Sequence, residues 1–255
     1  MDNKTFLNIS EEECLIAYQE MINNSDKCWE SGKVLALSGD YARAVSTSII
    51  SIEELIKAMI ILFDGNGFEF RKTEGIVIFF KNHEIRYVLA YILFVGGSLM
   101  IEAIDILSKI LKDPEEIKKA ARFLDSDSDF FVRRIVSRML RKFILLKNEM
   151  EWFSKIDIIR QNGFYSDYNG KLKSPIDISE NEYNEVVEKF GIVRELAKGI
   201  ASSFKSQKGT YDKLRTQYKT KNVYSEIEKV LDLIKKRRRK PFELLKENFD
   251  NMTKQ

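Results

Sequence analysis

Apolar residues recur at helical spacing over most of the chain. Ser10-Glu11-Glu12-Glu13 has the form of a capping box and opens the first run. There Leu15, Tyr18, Ile22, Trp29, Val34 and Leu37 mark one long helix, bent near Asn23-Asn24-Ser25. Gly39-Asp40 punctuates the chain, and a second helix is predicted from Tyr41 to Phe63. Val45, Ile49, Ile52, Ile56, Met59 and Phe63 form its stripe, with Ile50 and Ile61 elsewhere around it. A helix apolar on most sides is expected to be buried. Asp64-Gly65-Asn66-Gly67 is a breaker. The run Gly75 to Phe80 is too short for periodicity to separate strand from helix. From Asn82 a third long helix follows. Its apolar run, Val88 to Ile101, falls short of the roughly 18 residues that suggest a membrane span. It reads as a core helix in which Gly96-Gly97 permit close helix contact.

Asp113-Pro114-Glu115-Glu116 predicts a fourth helix, with Asp as cap, Pro at the first position and acids in the first turn. The acidic run Asp125 to Asp129 breaks it, and another helix runs from about Phe130 to Phe153. Asp157 to Ser179 reads as irregular. A second capping box, Ser179 to Glu182, opens a helix to about Phe204. Val223, Ile227, Val230, Leu231 and Ile234 mark a last helix that ends in a run of Lys and Arg before Pro241. No internal repeat is visible. The expectation is an all-α bundle over residues 1–207 with a basic helical extension over 208–255.

Composition changes this picture in three ways. At 255 residues and 44% hydrophobic content the chain can bury a substantial core, which excludes a wholly disordered protein. Cys14 and Cys28 are the only thiols and His83 the only histidine, so disulfide frameworks and His-rich or Cys-rich zinc sites are out; no metal or other cofactor is expected. The net charge of +3 is uneven: residues 205–255 carry 15 basic and 7 acidic side chains, so the rest of the chain is net negative. The basic run Lys235 to Lys240 reads either as a phosphate-binding segment or as a solvated helix end whose cations complement the helix dipole. Met1 to Ser10 lacks the basic start and apolar run of a signal peptide, so a cytoplasmic protein with no membrane partner is expected.

Three motifs could carry chemistry. Glu53-Glu54-x-x-Lys57 lies within the most apolar helix, where Glu53 and Lys57 can pair at i,i+4. Buried charges there need partners; the plain alternative is an ordinary helix ion pair. In Lys81 to Tyr87, helical spacing puts His83, Arg86 and Tyr87 on one face, with Asn82 beside Arg86. A proton-transfer group beside a fixed cation suits phosphodiester cleavage; the plain alternative is a structural or surface histidine. The third is Arg160-Gln161-Asn162-Gly163-Phe164-Tyr165-Ser166-Asp167, in which Asn-Gly favours a turn with positive φ. It also reads as a surface loop with aromatics tucked beneath it.

The order of these motifs, S-x-E-E-x-x-K-A, then H-x-x-R, then R-Q-x-G-x-Y-x-D and a proline, resembles the AbiV family of bacterial abortive-infection proteins in the HEPN superfamily, over roughly Tyr41 to Gly199. The resemblance implies an all-α HEPN bundle, a role in stopping phage-infected cells, and metal-independent ribonuclease chemistry in a cleft between two copies of the chain. On it His83 would be the acid or base and Arg86 the phosphate stabiliser, with Glu54 and Lys57 orienting them. Asn82, Tyr87, Arg160 and Tyr165 would contact substrate. Implied partners are a second copy, RNA or the ribosome, and a phage-derived trigger protein. The alternative is a non-catalytic binding module that acts through a protein partner. The superfamily's Arg a few residues before the His is absent: Ile76, Val77 and Ile78 stand there.

Overall fold

The computed structural model describes residues 4–73, 76–112, 129–165, 167–168, 172–173, 175–206 and 240–252. Its first two helices form an antiparallel hairpin, α1 (Glu11–Leu37) and α2 (Tyr41–Gly65). The Ser10 capping box is complete: Glu13 N–H donates to Ser10 Oγ and Ser10 N–H to Glu13 Oε2. α1 runs through Asn23-Asn24-Ser25 as one helix. At that point Ser25 and Ser51 exchange hydroxyl-to-carbonyl hydrogen bonds at 2.8 and 2.7 Å, tying α1 to α2. Tyr18, Ile22 and Trp29 are buried as the stripe predicts, but Val34 and Leu37 face solvent. The hairpin turns at Gly39, with φ +81°, before Asp40 caps α2.

α2 is the centre of the molecule. Val45, Ile49, Ile52, Leu55, Ile56 and Ile61 are all essentially inaccessible, so the helix is enclosed on several sides. A short α3 (Val77–Lys81) answers the strand-or-helix question, and α4 (His83–Lys112) follows after the single residue Asn82. Asn82 Oδ1 accepts from Ile85 N–H at 3.3 Å, which starts the new helix. The segment His83–Ile106 of α4 is long and apolar enough to cross a membrane by length and composition. Here it also packs laterally on α2 and on later helices of the bundle. Gly97 permits one of those contacts: a Cβ there would lie 2.7 Å from Ile192.

α5 (Asp129–Ser154) covers α4, and α7 (Glu180–Ser206) lies across α2 and α4. α7 starts at the second predicted capping box, with Ser179 N–H donating to Glu182 Oε2 at 2.7 Å. Within the stretch read as irregular, the described residues form α6 (Ile156–Asn162), an antiparallel pair of two-residue strands, β1 (Asp167–Tyr168) and β2 (Leu172–Lys173), and a 3-10 turn at Pro175–Asp177. A helix as short as α6 has too few apolar positions to show a period. Among the described residues the bundle is all-α apart from this strand pair. α8 (Pro241–Met252) returns to α4 and α5, with Phe242 buried in the common core. The predicted helices at Asp113 and at Val223–Ile234, the break at Asp125, and all of the basic run but Lys240 lie outside the described residues.

Two buried polar clusters brace the bundle away from His83. Arg194 of α7 donates to Ser25 Oγ at 3.0 Å and Ser51 Oγ at 2.8 Å, pairs with Asp26, and covers the Trp29 ring. Asp64, at the end of α2, accepts from Phe70 N–H and from Arg71, whose guanidinium also reaches the carbonyls of Phe6 and Ile9.

Candidate active site

Four side chains from two other helices converge on one carboxylate of α2. Glu53 sits on the buried stripe, i+4 from Ile49 and i−3 from Ile56, and its side chain is 7% exposed. Its Oε2 lies 2.8 Å from His83 Nδ1 and accepts from Arg86 Nη2 at 3.0 Å. Its Oε1 accepts from the Tyr87 hydroxyl and lies 3.4 Å from Arg160 Nε. A buried carboxylate is tolerated when it is paired and hydrogen-bonded, and both guanidiniums and the phenol meet that need. Burial, and then the Glu53 charge, push the Tyr87 hydroxyl well above the usual tyrosine range, so it serves as a donor only.

His83 and Arg86 come from the first turn of α4, and the angle of that helix is set by α3. Arg86 Nη1 donates to the carbonyls of Phe79 at 3.3 Å and Phe80 at 3.1 Å, in the last turn of α3. A cation there satisfies carbonyls left open at a helix end. The guanidinium therefore locks the α3–α4 corner as well as Glu53. Its side chain is only 4% exposed, and its Nε is buried without an acceptor. The sequence reading sets Arg86 toward a phosphate; in this structure its guanidinium points into the protein, toward Glu53 and the end of α3. Tyr87, read from sequence as a substrate contact, is likewise buried, with its hydroxyl donated to Glu53. His83 differs, with a side chain 42% exposed.

Arg160 reaches the cluster from α6. Burial opposes its charge, but the hydrogen bond to Asp157, at 2.8 Å, and the nearby Glu53 charge hold its guanidinium above the usual value. Gly163, at the end of α6, is what lets that helix approach. A Cβ there would lie 1.9 Å from Ser46 Oγ and 2.4 Å from the Ala42 carbonyl. Ser46 Oγ donates to the Arg160 carbonyl at 2.8 Å across the same contact. The expected positive φ is absent: Gly163 has φ −77° and ψ −14°. Space, not backbone freedom, is what this position requires.

Glu54 and Lys57 stand apart from His83. They pair with each other at i,i+3, in place of the anticipated Glu53–Lys57 pair, and Glu54 faces Cys28 of α1 closely enough for its charge, after burial, to raise that thiol. The acid beside His83 is Glu53. The signal is present in the sequence, since Glu53 shares the spacing of the buried stripe while Glu54 follows the half-buried Ile50. Asn82 caps α4, and Tyr165 is mostly exposed beyond α6. Among the described residues, no group of three or more His, Cys, Asp or Glu side chains is placed to hold a metal ion.

The family model HEPN_AbiV, described as AbiV, matches residues 13–196. No curated protein and no solved structure matches the chain. The matched span contains α2, all of α4, nearly all of α1 and every residue of the Glu53 cluster. By a match covering well over half its length, the chain belongs to the AbiV family of HEPN-type proteins.

Proposed function

We propose that this protein is an RNA-directed effector of abortive infection, a metal-independent ribonuclease whose proton-transfer group is His83. Membership of the AbiV family supplies the coarser part, an anti-phage abortive-infection role. The observation that carries the finer part is the setting of His83: the chain's only histidine is the most exposed member of the cluster, with Nδ1 turned inward against Glu53. That leaves Nε2 as the ring atom able to meet a ligand. A base within hydrogen-bond reach of a ribose 2′-hydroxyl removes its proton as the oxygen attacks phosphorus, and the 5′-oxygen leaves with a proton. Charge on the phosphorane needs a cation, and Arg86 is committed inside the protein. A second copy of the chain around a two-fold axis would bring a second His83 to the same cleft, and its protonated ring would supply that positive charge. In this reading the active form is a cytoplasmic homodimer acting on RNA or the ribosome, released by a phage-derived trigger.

The burial of Arg86 and Tyr87 favours a second reading. There the cluster is a folding network, and the protein blocks an essential process through a protein partner. One comparison separates the two: wild type against His83→Ala in phage-challenged cells, with folding checked by circular dichroism and total RNA examined for new fragments. Loss of protection together with loss of fragments is the expected outcome. Full protection by the folded variant would sink the ribonuclease reading.

A further inference from the structure

We propose that Glu53 is a positioning residue that holds the neutral His83 ring as its Nδ1–H tautomer, with the Nε2 lone pair facing outward. The ribonuclease reading gives this tautomer its use; the tautomer itself rests on geometry alone.

His83 Nδ1, Glu53 Oε2 and Arg86 Nη2 form a nearly equilateral triangle, with sides of 2.8, 3.0 and 2.8 Å. A neutral imidazole nitrogen carries either a proton or a lone pair, so only one of the two contacts at Nδ1 is a hydrogen bond. If Nδ1 carried the lone pair, Arg86 Nη2 would have to serve both Nδ1 and Oε2. The two N–H bonds of that nitrogen diverge by about 120°, whereas the triangle sets the acceptors about 60° apart, so both bonds would be bent. The lone pair would also face a carboxylate oxygen at 2.8 Å with no proton between them. Glu53 could not turn away, because its other oxygen is held by Tyr87 and flanked by Arg160.

With the proton on Nδ1 the same triangle works. Oε2 becomes the shared acceptor, and a carboxylate oxygen accepts over a broad range of directions. Each donor then directs one N–H to it, and each bond is assisted by the carboxylate charge. Arg86 gives up one contact and keeps Glu53 and the two α3 carbonyls. Asp157, the other acid nearby, is occupied by Arg160 and Gln161, leaving Glu53 as the anion that faces the ring.

The consequence is chemical. A ring locked this way presents a base at Nε2. Once Nε2 takes a proton, the imidazolium keeps its Nδ1–H bond to Glu53 and can return the Nε2 proton to a leaving oxygen. The ring passes between its base and acid forms without rotation.

The test needs no RNA and no resonance assignment, because the chain has one histidine. Uniformly 15N-labelled full-length protein is placed at a pH where the ring is neutral, and long-range proton–nitrogen correlation reads which ring nitrogen bears the proton. The expected spectrum shows Nδ1 protonated and Nε2 bare. Glu53→Gln should shift the ring toward the Nε2–H form that free histidine prefers. Arg86→Met, which removes the competing donor, should leave Nδ1–H in place. An Nε2–H pattern in wild type would overturn the proposal, whether or not either variant folds. So would an unchanged Nδ1–H pattern in folded Glu53→Gln, which would place the control elsewhere. Absence of RNA cleavage alongside an Nδ1–H spectrum would sink only the ribonuclease reading.

Discussion

Replacing Gly163 with alanine tests whether the α6–α2 contact positions the site. The backbone alone predicts a gain. Gly163 has φ −77°, a conformation any L-residue adopts, and removing a glycine from such a place stabilises by about 0.4–1 kcal/mol through the unfolded chain. The packing predicts the opposite. The new methyl would stand 2.4 Å from the Ala42 carbonyl, where ordinary contact begins at 3.4 Å, and that carbonyl belongs to the first turn of α2. The end of α6 must therefore retreat by roughly the difference. Overpacking of this kind costs about 1–3 kcal/mol, and loss of the Ser46–Arg160 hydrogen bond adds about 1. Set against the backbone gain, the net loss is on the order of 1–3 kcal/mol, a sizeable part of the 5–15 or so that holds a domain together. Urea unfolding followed by far-ultraviolet circular dichroism reads it as a lower midpoint at unchanged slope. A midpoint equal to or above wild type would refute the steric argument and with it the reason given for glycine here.

Two further outcomes concern pH. Burial works against the Asp26 carboxylate, but hydrogen bonds from Lys198 and Arg194 hold its pKa below the usual aspartate value. Its contribution is therefore present above the ordinary aspartate range and fades as pH falls through the lowered value. Asp26→Asn should lower stability at pH 7 and flatten the acid limb of a stability–pH curve, whereas an unchanged acid limb would show that Arg194 does not depend on this pair. At the other extreme, burial and then the Glu149 charge push the Tyr91 hydroxyl up to about 12, with its proton donated to the Leu146 carbonyl at 3.2 Å. Stability should be intact below the ordinary tyrosine range and fall as pH rises from about 10 toward 12. Tyr91→Phe should cost about 1 kcal/mol at pH 7 and weaken that alkaline loss, measured by thermal melts across the range.

The site is partly legible in the sequence. Spacing puts His83, Arg86 and Tyr87 on one helix face, and all three meet at Glu53. The resemblance gives the orienting role to Glu54, whereas the period of the buried stripe singles out Glu53, the acid that lies beside His83. The direction of Arg86 is not legible. Helical spacing gives the face a side chain leaves from but not what lies against it, and here that is the end of α3, a five-residue helix too short to be read from sequence. At Gly163 the Asn-Gly rule marks the right residue for the wrong reason. A dipeptide rule describes the local backbone, whereas the clash comes from a helix more than a hundred residues earlier in the chain.

Local chemistry decides where the helices start. The two S-x-x-E boxes, the Gly39 turn and the enclosed stripe of α2 follow from side chains reaching their own backbone, or from a period that one helix must bury. Those terms act within a few residues, so the sequence by itself determines the all-α class and most of the long helices. Which acid holds the histidine, whether the arginine faces ligand or core, and why α6 ends in glycine depend on contacts between segments far apart in the chain. A buried carboxylate takes its partners from whatever donors the packed helices bring within about 3 Å, and only the tertiary structure determines which donors those are.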